Sequence, residues 1–312
     1  MINWGILGFG RMGATFANAI KETSNSKLIN IASKTGKTLT NFENKSYEDL
    51  INNNDIDAIY ISTLNNTHID LIKVISNTKK NILCEKPVAM NLNDILQIEK
   101  IIKNKKIKFY EAIAYYSHPQ TIELMNLIEN DEIGEIKSIE SSFGFKSKFK
   151  PSSRLYNKEL GGGSILDLGC YPISFFMLFA KSKDKISLND KKLTYAKSAV
   201  DDEASATLNY DNKIEGKIRV SIKSNLDNKC IIYGSKGFIK VNNPWLPNKD
   251  SIIEISSKNH FYIKQIKSEL SVYANQIENV SNSFKNENQK NNLFDVDKSI
   301  INMSLIENWL KN

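Results

Sequence analysis

Short apolar runs alternate with helical spacings along the first third of the chain. Residues 2 to 7 form an apolar run, residues 14 to 22 carry apolar side chains at helical spacing, and residues 28 to 33 read as a second strand, together a βαβ unit. The alternation continues with a short helix over 47 to 52, a strand over 57 to 63, a helix over 68 to 76, a strand over 81 to 85, a helix over 92 to 104 and a strand over 107 to 112. Strands separated by helices in this way predict a parallel sheet with crossover helices on both faces.

After about Pro119 the period changes. A helix over 120 to 130 leads into residues 133 to 145, where apolar and polar positions begin to alternate, and further alternating segments occupy 205–210, 214–222, 229–234, 238–241 and 252–255. A turn signal separates two of them at Gly234-Ser235-Lys236-Gly237. Such alternation predicts antiparallel sheet. Two helices, about 266 to 285 and 295 to 311, close the chain. The expected domains are 1–118 and 119–312, in a chain about twice the usual single-domain length; whether the last helix packs back near the first domain stays open.

Composition changes this picture little. Apolar residues make up 41% of the chain, enough for packed cores, and the most apolar stretch, Ile173 to Ala180, is far too short to cross a bilayer. The start, Met1-Ile2-Asn3-Trp4, leads into a core strand without a basic and then apolar leader, and Cys84, Cys170 and Cys230 form neither a CxxC pair nor a zinc pattern. A soluble, cytoplasmic protein without a metal is expected. The formal charge of +7 comes from 42 basic and 35 acidic residues. They are scattered rather than gathered in a stripe with aromatics, which argues against a nucleic-acid partner.

The strongest local signal is Gly8-Phe9-Gly10-Arg11-Met12-Gly13, a GxGxxG between a buried strand and a helix. Gly8 permits the tight turn, Gly10 lets a pyrophosphate approach the backbone, Gly13 lets helix and strand pack closely, and the helix N-terminus faces the phosphates. A dinucleotide is therefore the expected cofactor. At the end of the second strand an NAD site normally carries an acid for the ribose hydroxyls; this chain has Ser33-Lys34-Thr35. A hydroxyl and an ammonium donate to a 2′-phosphate, each charge-assisted bond contributing about 1.5 to 3 kcal/mol, so NADP(H) is favoured, by roughly ten- to a hundredfold, with NAD(H) still possible. Thr63, Leu64, Asn65 and His68 after the third strand, and Glu85 and Lys86 after the fourth, sit at carboxyl ends of parallel strands, where open α/β sheets bind ligands. Further on, Gly161-Gly162-Gly163 precedes an apolar helix in which Asp167 and Tyr171, four apart, would share one face.

The glycine turn, Glu85-Lys86-Pro87, the stretch from Glu111 to His118-Pro119-Gln120, and Gly-Gly-Gly-x-x-x-Asp-x-Gly-x-Tyr at 161 to 171 together resemble the Gfo/Idh/MocA oxidoreductases, most of all the branch with dihydrodiol and NADP-dependent xylose dehydrogenases. The resemblance spans nearly the whole chain. It implies an α/β protein with an N-terminal Rossmann domain, a doubly wound parallel sheet, and a C-terminal α/β domain built on a large, mostly antiparallel open sheet that often forms the dimer face. A homodimer or homotetramer is expected on that basis. It also implies catalytic roles for Lys86, Asp167 and Tyr171. The family often has an aromatic-Arg pair before the His-Pro, where this chain has Tyr115-Tyr116-Ser117.

The chemistry expected of these residues is hydride exchange between a nicotinamide and a carbinol or carbonyl carbon, with Tyr171 exchanging the hydroxyl proton. A free phenol titrates near pH 10. An ammonium about 4 Å away, at an effective dielectric of about 20, would contribute roughly 4 kcal/mol toward the phenolate, a role suited to Lys86, with Asp167 orienting the lysine or bonding a substrate hydroxyl. His118, Arg154 and Tyr116 are candidate substrate contacts; His118 is also a candidate proton relay or a structural histidine at the domain junction, and His68 is expected to hold the cofactor loop rather than do chemistry. Sugars, sugar derivatives, cyclitols and dihydrodiols all suit such a site. An NAD-dependent sugar or cyclitol dehydrogenase and a catalytically silent dinucleotide-binding regulator are the other readings.

Overall fold

The computed structural model describes residues 1–180, 182, 185–257, 260–285 and 292–311, which form two compact units. The first holds residues 1–117 and 269–300, the second residues 118–268 and 301–312.

In the first unit, β1 (Ile2–Leu7), β2 (Ser26–Ala32), β3 (Asn44–Lys45), β4 (Ala58–Ile61), β5 (Asn81–Cys84) and β6 (Phe109–Glu111) form one sheet in the order β3-β2-β1-β4-β5-β6. Every pairing is parallel. The order reverses between β1 and β4, the switch point at which open α/β sheets leave a crevice at their carboxyl ends. Helices α1 (Arg11–Ala19), α2 (Tyr47–Asn52), α3 (His68–Ile75) and α4 (Leu92–Lys105) connect the strands. Period two along β1 decides which side each residue serves. Trp4 and Ile6 join one core cluster with Phe16 and Ala17 of α1, whereas Gly5 points the other way, where a Cβ would meet the Leu50 side chain of α2 at 2.8 Å.

That first cluster is completed from far down the chain. Helix α7 (Val272–Lys285) contributes Ala274, Ile277, Val280 and Phe284 to it, and its Ser281 accepts from the Trp4 indole at 3.1 Å. The change of period near Pro119 assigns all of 119–312 to the second domain; the structure returns 269–300 to the first, because the apolar stripe of α7 packs into the core cluster of β1, β4 and α1. The helix expected from 266 also begins later. Residues up to Lys267 belong to a strand, and the helix starts at Val272.

The second unit carries α5 (Pro119–Glu129), β7 (Ile136–Gly144) and α6 (Cys170–Met177), then β8 (Ile186–Tyr195), β9 (Asp201–Tyr210), β10 (Ile214–Ser221), β11 (Lys229–Gly234), β12 (Gly237–Asn242), β13 (Asp250–Ser257) and β14 (His260–Lys267). Its eight strands run β14-β13-β12-β11-β7-β10-β9-β8, antiparallel except where β7 meets β10. One face is covered: Gly216 of β10 lacks a side chain where a Cβ would lie 2.5 Å from the Phe176 ring of α6. The other face is polar, with Glu215, Lys217 and Arg219 exposed between the buried Gly216, Ile218 and Val220. The last helix, α8 (Val296–Leu310), ends in this unit, where the Trp309 indole donates to the Ser205 carbonyl at 3.3 Å. No helix among the described residues is long and apolar enough to cross a membrane, and all three cysteines are buried thiols.

If α7 is part of the first core, Ile277→Ala leaves a cavity in it and costs about 2 to 5 kcal/mol, read as a lowered denaturation midpoint; a change under about 0.5 kcal/mol would contradict this packing.

Candidate active site

Each unit carries one half of the predicted chemistry. In the first, β1 is followed by Gly8 at φ 89°, a left-handed turn in which a Cβ would strike the Ser62 backbone at 2.9 Å. The turn is pinned by Gly8 N–H donating to the Ala32 carbonyl at 2.8 Å and by the Ser62 hydroxyl donating to the Gly8 carbonyl at 2.7 Å. Gly13 brings α1 against it, since a Cβ there would lie 2.5 Å from the Gly8 oxygen. Gly10 differs: a Cβ at that position meets nothing within 4 Å. The helix N-terminus it opens has no side-chain cap and no acid in its first turn, so its N–H groups and positive dipole end suit a pyrophosphate. The residues present fit a dinucleotide. Arg11 is exposed, Met12 half-buried, and Phe9 is part of the core behind the turn.

At the end of β2, Asn44 of the two-residue strand β3 clamps Ser33, accepting from its N–H at 2.8 Å and donating to its carbonyl at 3.1 Å. The Ser33 and Thr35 hydroxyls stand 2.9 Å apart. Lys34 is exposed, with its ammonium 5.7 Å from the Tyr47 ring centroid, a cation–π geometry. Nothing in the sequence marks Asn44 or Tyr47: a two-residue strand has no periodicity, and Tyr47 lies far from Lys34 along the chain.

After β4, Leu64 is exposed, Asn65 half-buried and Thr63 shares a 2.7 Å hydrogen bond with Thr67. His68, expected to hold the cofactor loop and counted among the cofactor contacts, lies beneath this loop. It is wholly buried, its imidazole lies by the backbone of Thr63, Pro87 and Val88, and burial lowers its pKa to about 4. No hydrogen bond of good geometry reaches either ring nitrogen from the described residues. It supports the two loops from below and offers no surface to a ligand. Glu85 is also buried and accepts from the Tyr60 hydroxyl; burial, and then Glu85 itself, hold that phenol well above its ordinary range. Lys86 is half-buried beside them. Tyr116, expected at the substrate, is a core aromatic, 1% exposed and edge-on to the Phe294 ring at 5.1 Å.

In the second unit, His118 is buried and caps α5, its Nδ1 accepting from the Gln120 N–H at 3.1 Å; burial takes its pKa to about 4. That is a structural duty, one of the two roles the sequence leaves open for it beside a proton relay. The three glycines fold tightly: a Cβ on Gly162 would meet the Asn157 backbone at 2.7 Å, and one on Gly163, at φ 118°, would meet an Asp201 oxygen at 2.3 Å. Asp201, unremarked in the sequence, opens β9 and accepts from the Ser164 hydroxyl at 2.6 Å and the Ile165 N–H at 2.7 Å. It holds the start of the next segment, Ile165–Gly169, which is a π-helix rather than the α-helix expected. With i→i+5 bonding, four-residue spacing from Asp167 to Tyr171 no longer guarantees a shared face. Asp167 is 3% exposed, and its Oδ1 accepts from Arg154 Nη1 at 2.8 Å. Tyr171 is half-buried, edge-on to the Phe143 ring at 5.0 Å and 5.9 Å from that of Trp245. Arg154, Asp167 and Tyr171 thus belong to one unit, with Arg154 bound to the buried carboxylate. A depression of about 470 Å³ on the large sheet, lined by residues such as Thr207, Lys217 and Arg219, contains none of the predicted residues.

A nucleotide turn at the switch point of a parallel sheet, joined in one chain to a half-open antiparallel sheet with a buried Asp and a Tyr on its covering helix, defines a dinucleotide-dependent oxidoreductase. Residues 2–113 match the oxidoreductase family described by its NAD-binding Rossmann fold, and residues 121–240 match the GFO/IDH/MocA C-terminal domain. The chain belongs to the Gfo/Idh/MocA family of oxidoreductases. It is 30% identical over 255 residues to a trans-1,2-dihydrobenzene-1,2-diol dehydrogenase of Xenopus tropicalis, covering 78% of this chain and 76% of that one. Among solved structures it resembles a 3-ketoreductase from Actinomadura kijaniata in complex with NADP and TDP-benzene, with a TM-score of 0.88, 20% identity and coverage of 98% and 96%. An aldose-aldose oxidoreductase from Caulobacter crescentus gives a TM-score of 0.89 at 18% identity, covering 99% and 96%. At these identities the two structures speak for the fold.

The lowered pKa of His68 carries a sign. The unfolded chain protonates this imidazole near 6.5 and the folded one only near 4, so the unfolded state takes up the extra proton, and stability present above pH 6.5 is lost as pH falls toward 4. At about pH 5 the loss is roughly 2 kcal/mol. Denaturation at about pH 7.5 and pH 5 should therefore show a smaller acid loss in His68→Leu than in the wild type; equal losses would show that His68 titrates normally.

Proposed function

We propose that the chain exchanges a hydride between NADP(H), in preference to NAD(H), and a hydroxyl or carbonyl carbon of a sugar, sugar derivative or related polyol. The observation that carries the cofactor preference is the end of β2. Where a ribose-binding acid would stand, the chain has Ser33, locked by Asn44, and the exposed Lys34 beside Tyr47. A carboxylate there would repel a 2′-phosphate; this arrangement presents hydroxyls and a cation to it. The substrate class is favoured by the family and by what its members are named for, a diol dehydrogenase and an aldose-aldose oxidoreductase among them.

When bound, the nicotinamide supplies a two-electron carrier at one ring carbon. The chain's own residues supply the rest. Lys86 supplies a positive charge at the carboxyl end of β5, where open α/β sheets bind ligands, and a second group exchanges the hydroxyl proton. Tyr171 is that group: it donates its hydroxyl proton to the substrate oxygen on reduction and takes one back on oxidation. Phe143 and Trp245 hold its ring at defined angles. Asp167 and Arg154 form an ion pair at 2.8 Å, in which the guanidinium offsets the cost of burying the carboxylate, and this pair is the polar surface offered to a polyhydroxylated substrate.

Two measurements test this. Fluorescence titration should give NADPH a dissociation constant roughly ten- to a hundredfold below that of NADH, and equal or tighter NADH binding overturns the preference. Turnover against a panel of polyols and keto sugars should drop by about two to four orders of magnitude in Tyr171→Phe, with NADPH affinity nearly unchanged; wild-type turnover in that variant removes Tyr171 from the reaction.

A further inference from the structure

Glu111 ends β6 in register with Cys84, the last residue of β5, and β5 runs straight into Glu85-Lys86-Pro87. Its side chain is 3% exposed. Oε1 accepts from the Val88 N–H at 3.1 Å, so the carboxyl grips the loop just past the lysine. The Ser299 side chain of α8 and the Lys86 ammonium favour the charged form of this carboxyl and the Glu85 carboxylate opposes it, while the Ser299 hydroxyl proton itself goes to the Asp295 carbonyl at 3.2 Å. The thiol of Cys84 on the neighbouring strand is pushed up, chiefly by its own burial and then by Glu111, and stays protonated at neutral pH.

A carboxylate shut away from water needs donors and cations to remain charged. Glu111 has one N–H bond and the nearby Ser299 side chain and Lys86 ammonium, set against burial and a second carboxylate. Burial weighs most, and Glu111 titrates at about 7. The group that holds the lysine's loop therefore changes charge within the working range of most enzymes.

We propose that Glu111 is the positioning residue for Lys86: it ties the lysine's loop to the end of β6 through the Val88 N–H, and its charge sets how firmly the Lys86 amine keeps its proton. The inference deepens the reading of Lys86 as a catalytic group and rests on it. With Glu111 ionised the ammonium has an anion beside it and is stabilised; with Glu111 neutral that support is gone. The two groups then titrate as a coupled pair rather than singly.

The test is the reactivity of Lys86 itself in the full chain without cofactor. Trace acetylation with acetic anhydride from about pH 6 to about pH 10, read peptide by peptide by mass spectrometry, tracks the free amine at Lys86, with the exposed Lys37 as internal reference. The wild-type Lys86 profile should show two steps, and Glu111→Gln should give a single step with acetylation about threefold or more faster near pH 8. Glu111→Asp should restore the slower reaction, and NADPH affinity should stay within about twofold in both variants. Identical Lys86 profiles in wild type and Glu111→Gln overturn the proposal. Should Glu111→Gln fail to fold, a single-step wild-type profile overturns it equally. Turnover does not enter this readout, so a failure of the dehydrogenase reading appears separately, as silence against the substrate panel.

Discussion

The carbonyl oxygen of Gly8 stands 2.5 Å from where a Cβ on Gly13 would be. That approach of backbone to backbone lets α1 start at once after β1, and the first turn of α1 is what the nucleotide half of the protein depends on. Its consequences spread outward. Ser62 at the end of β4 spends its hydroxyl on the same Gly8 carbonyl, so the loop after β4 begins at a fixed height. His68 fills the space beneath that loop and beside Pro87 and Val88, linking the ends of β4 and β5. Glu111 closes the series at β6 through the Val88 N–H. Carboxyl ends of successive strands are thus linked by two short polar contacts and one packed imidazole, and the first turn of α1 keeps its N–H groups for a ligand.

Burial of charge is handled differently in the two units. In the second, Asp167 meets a guanidinium at 2.8 Å and Asp201 meets a hydroxyl and a backbone N–H. The Arg154 pair leaves an ion that is compensated by an opposite charge, while burial still raises the pKa of Asp201. In the first, Glu85 has a phenol and Glu111 has weaker donors. The result there is a carboxyl poised between its two states rather than fixed in one.

Much of this was legible in the sequence because it depends on period and on glycine. The parallel strands, the glycine turn and the change to alternating residues after Pro119 all leave marks at short range. What was illegible depends on partners far away in the chain. The return of α7 to the first core needs Ile277 to find Trp4 and Phe16. Asp201 becomes a cap only because folding brings β9 to Ser164. Tyr116 was read as a substrate contact from its place beside a His-Pro pair, yet Phe294 claims its ring. His68 and His118 look alike to a sequence reader, as histidines at element starts, and both are buried in the fold. The strands β8 and β14 were missed because Lys, Asn and Ile are spread so evenly through this chain that alternation is blurred at the sheet edges.

The π segment at Ile165–Gly169 places one extra residue in a helical path. In an ordinary helix each residue turns the next by about 100°, so this single residue sets the rotational phase between the glycine turn on its N-terminal side and helix α6 on its C-terminal side. Asp167 lies within the segment, and Tyr171 comes after it. The bearing of the tyrosine relative to Arg154 and Asp167 is therefore written in chain length as much as in side-chain identity, and substitutions alone leave that phase unexplored. An insertion or deletion of one residue there would change the alignment while leaving every named residue in place.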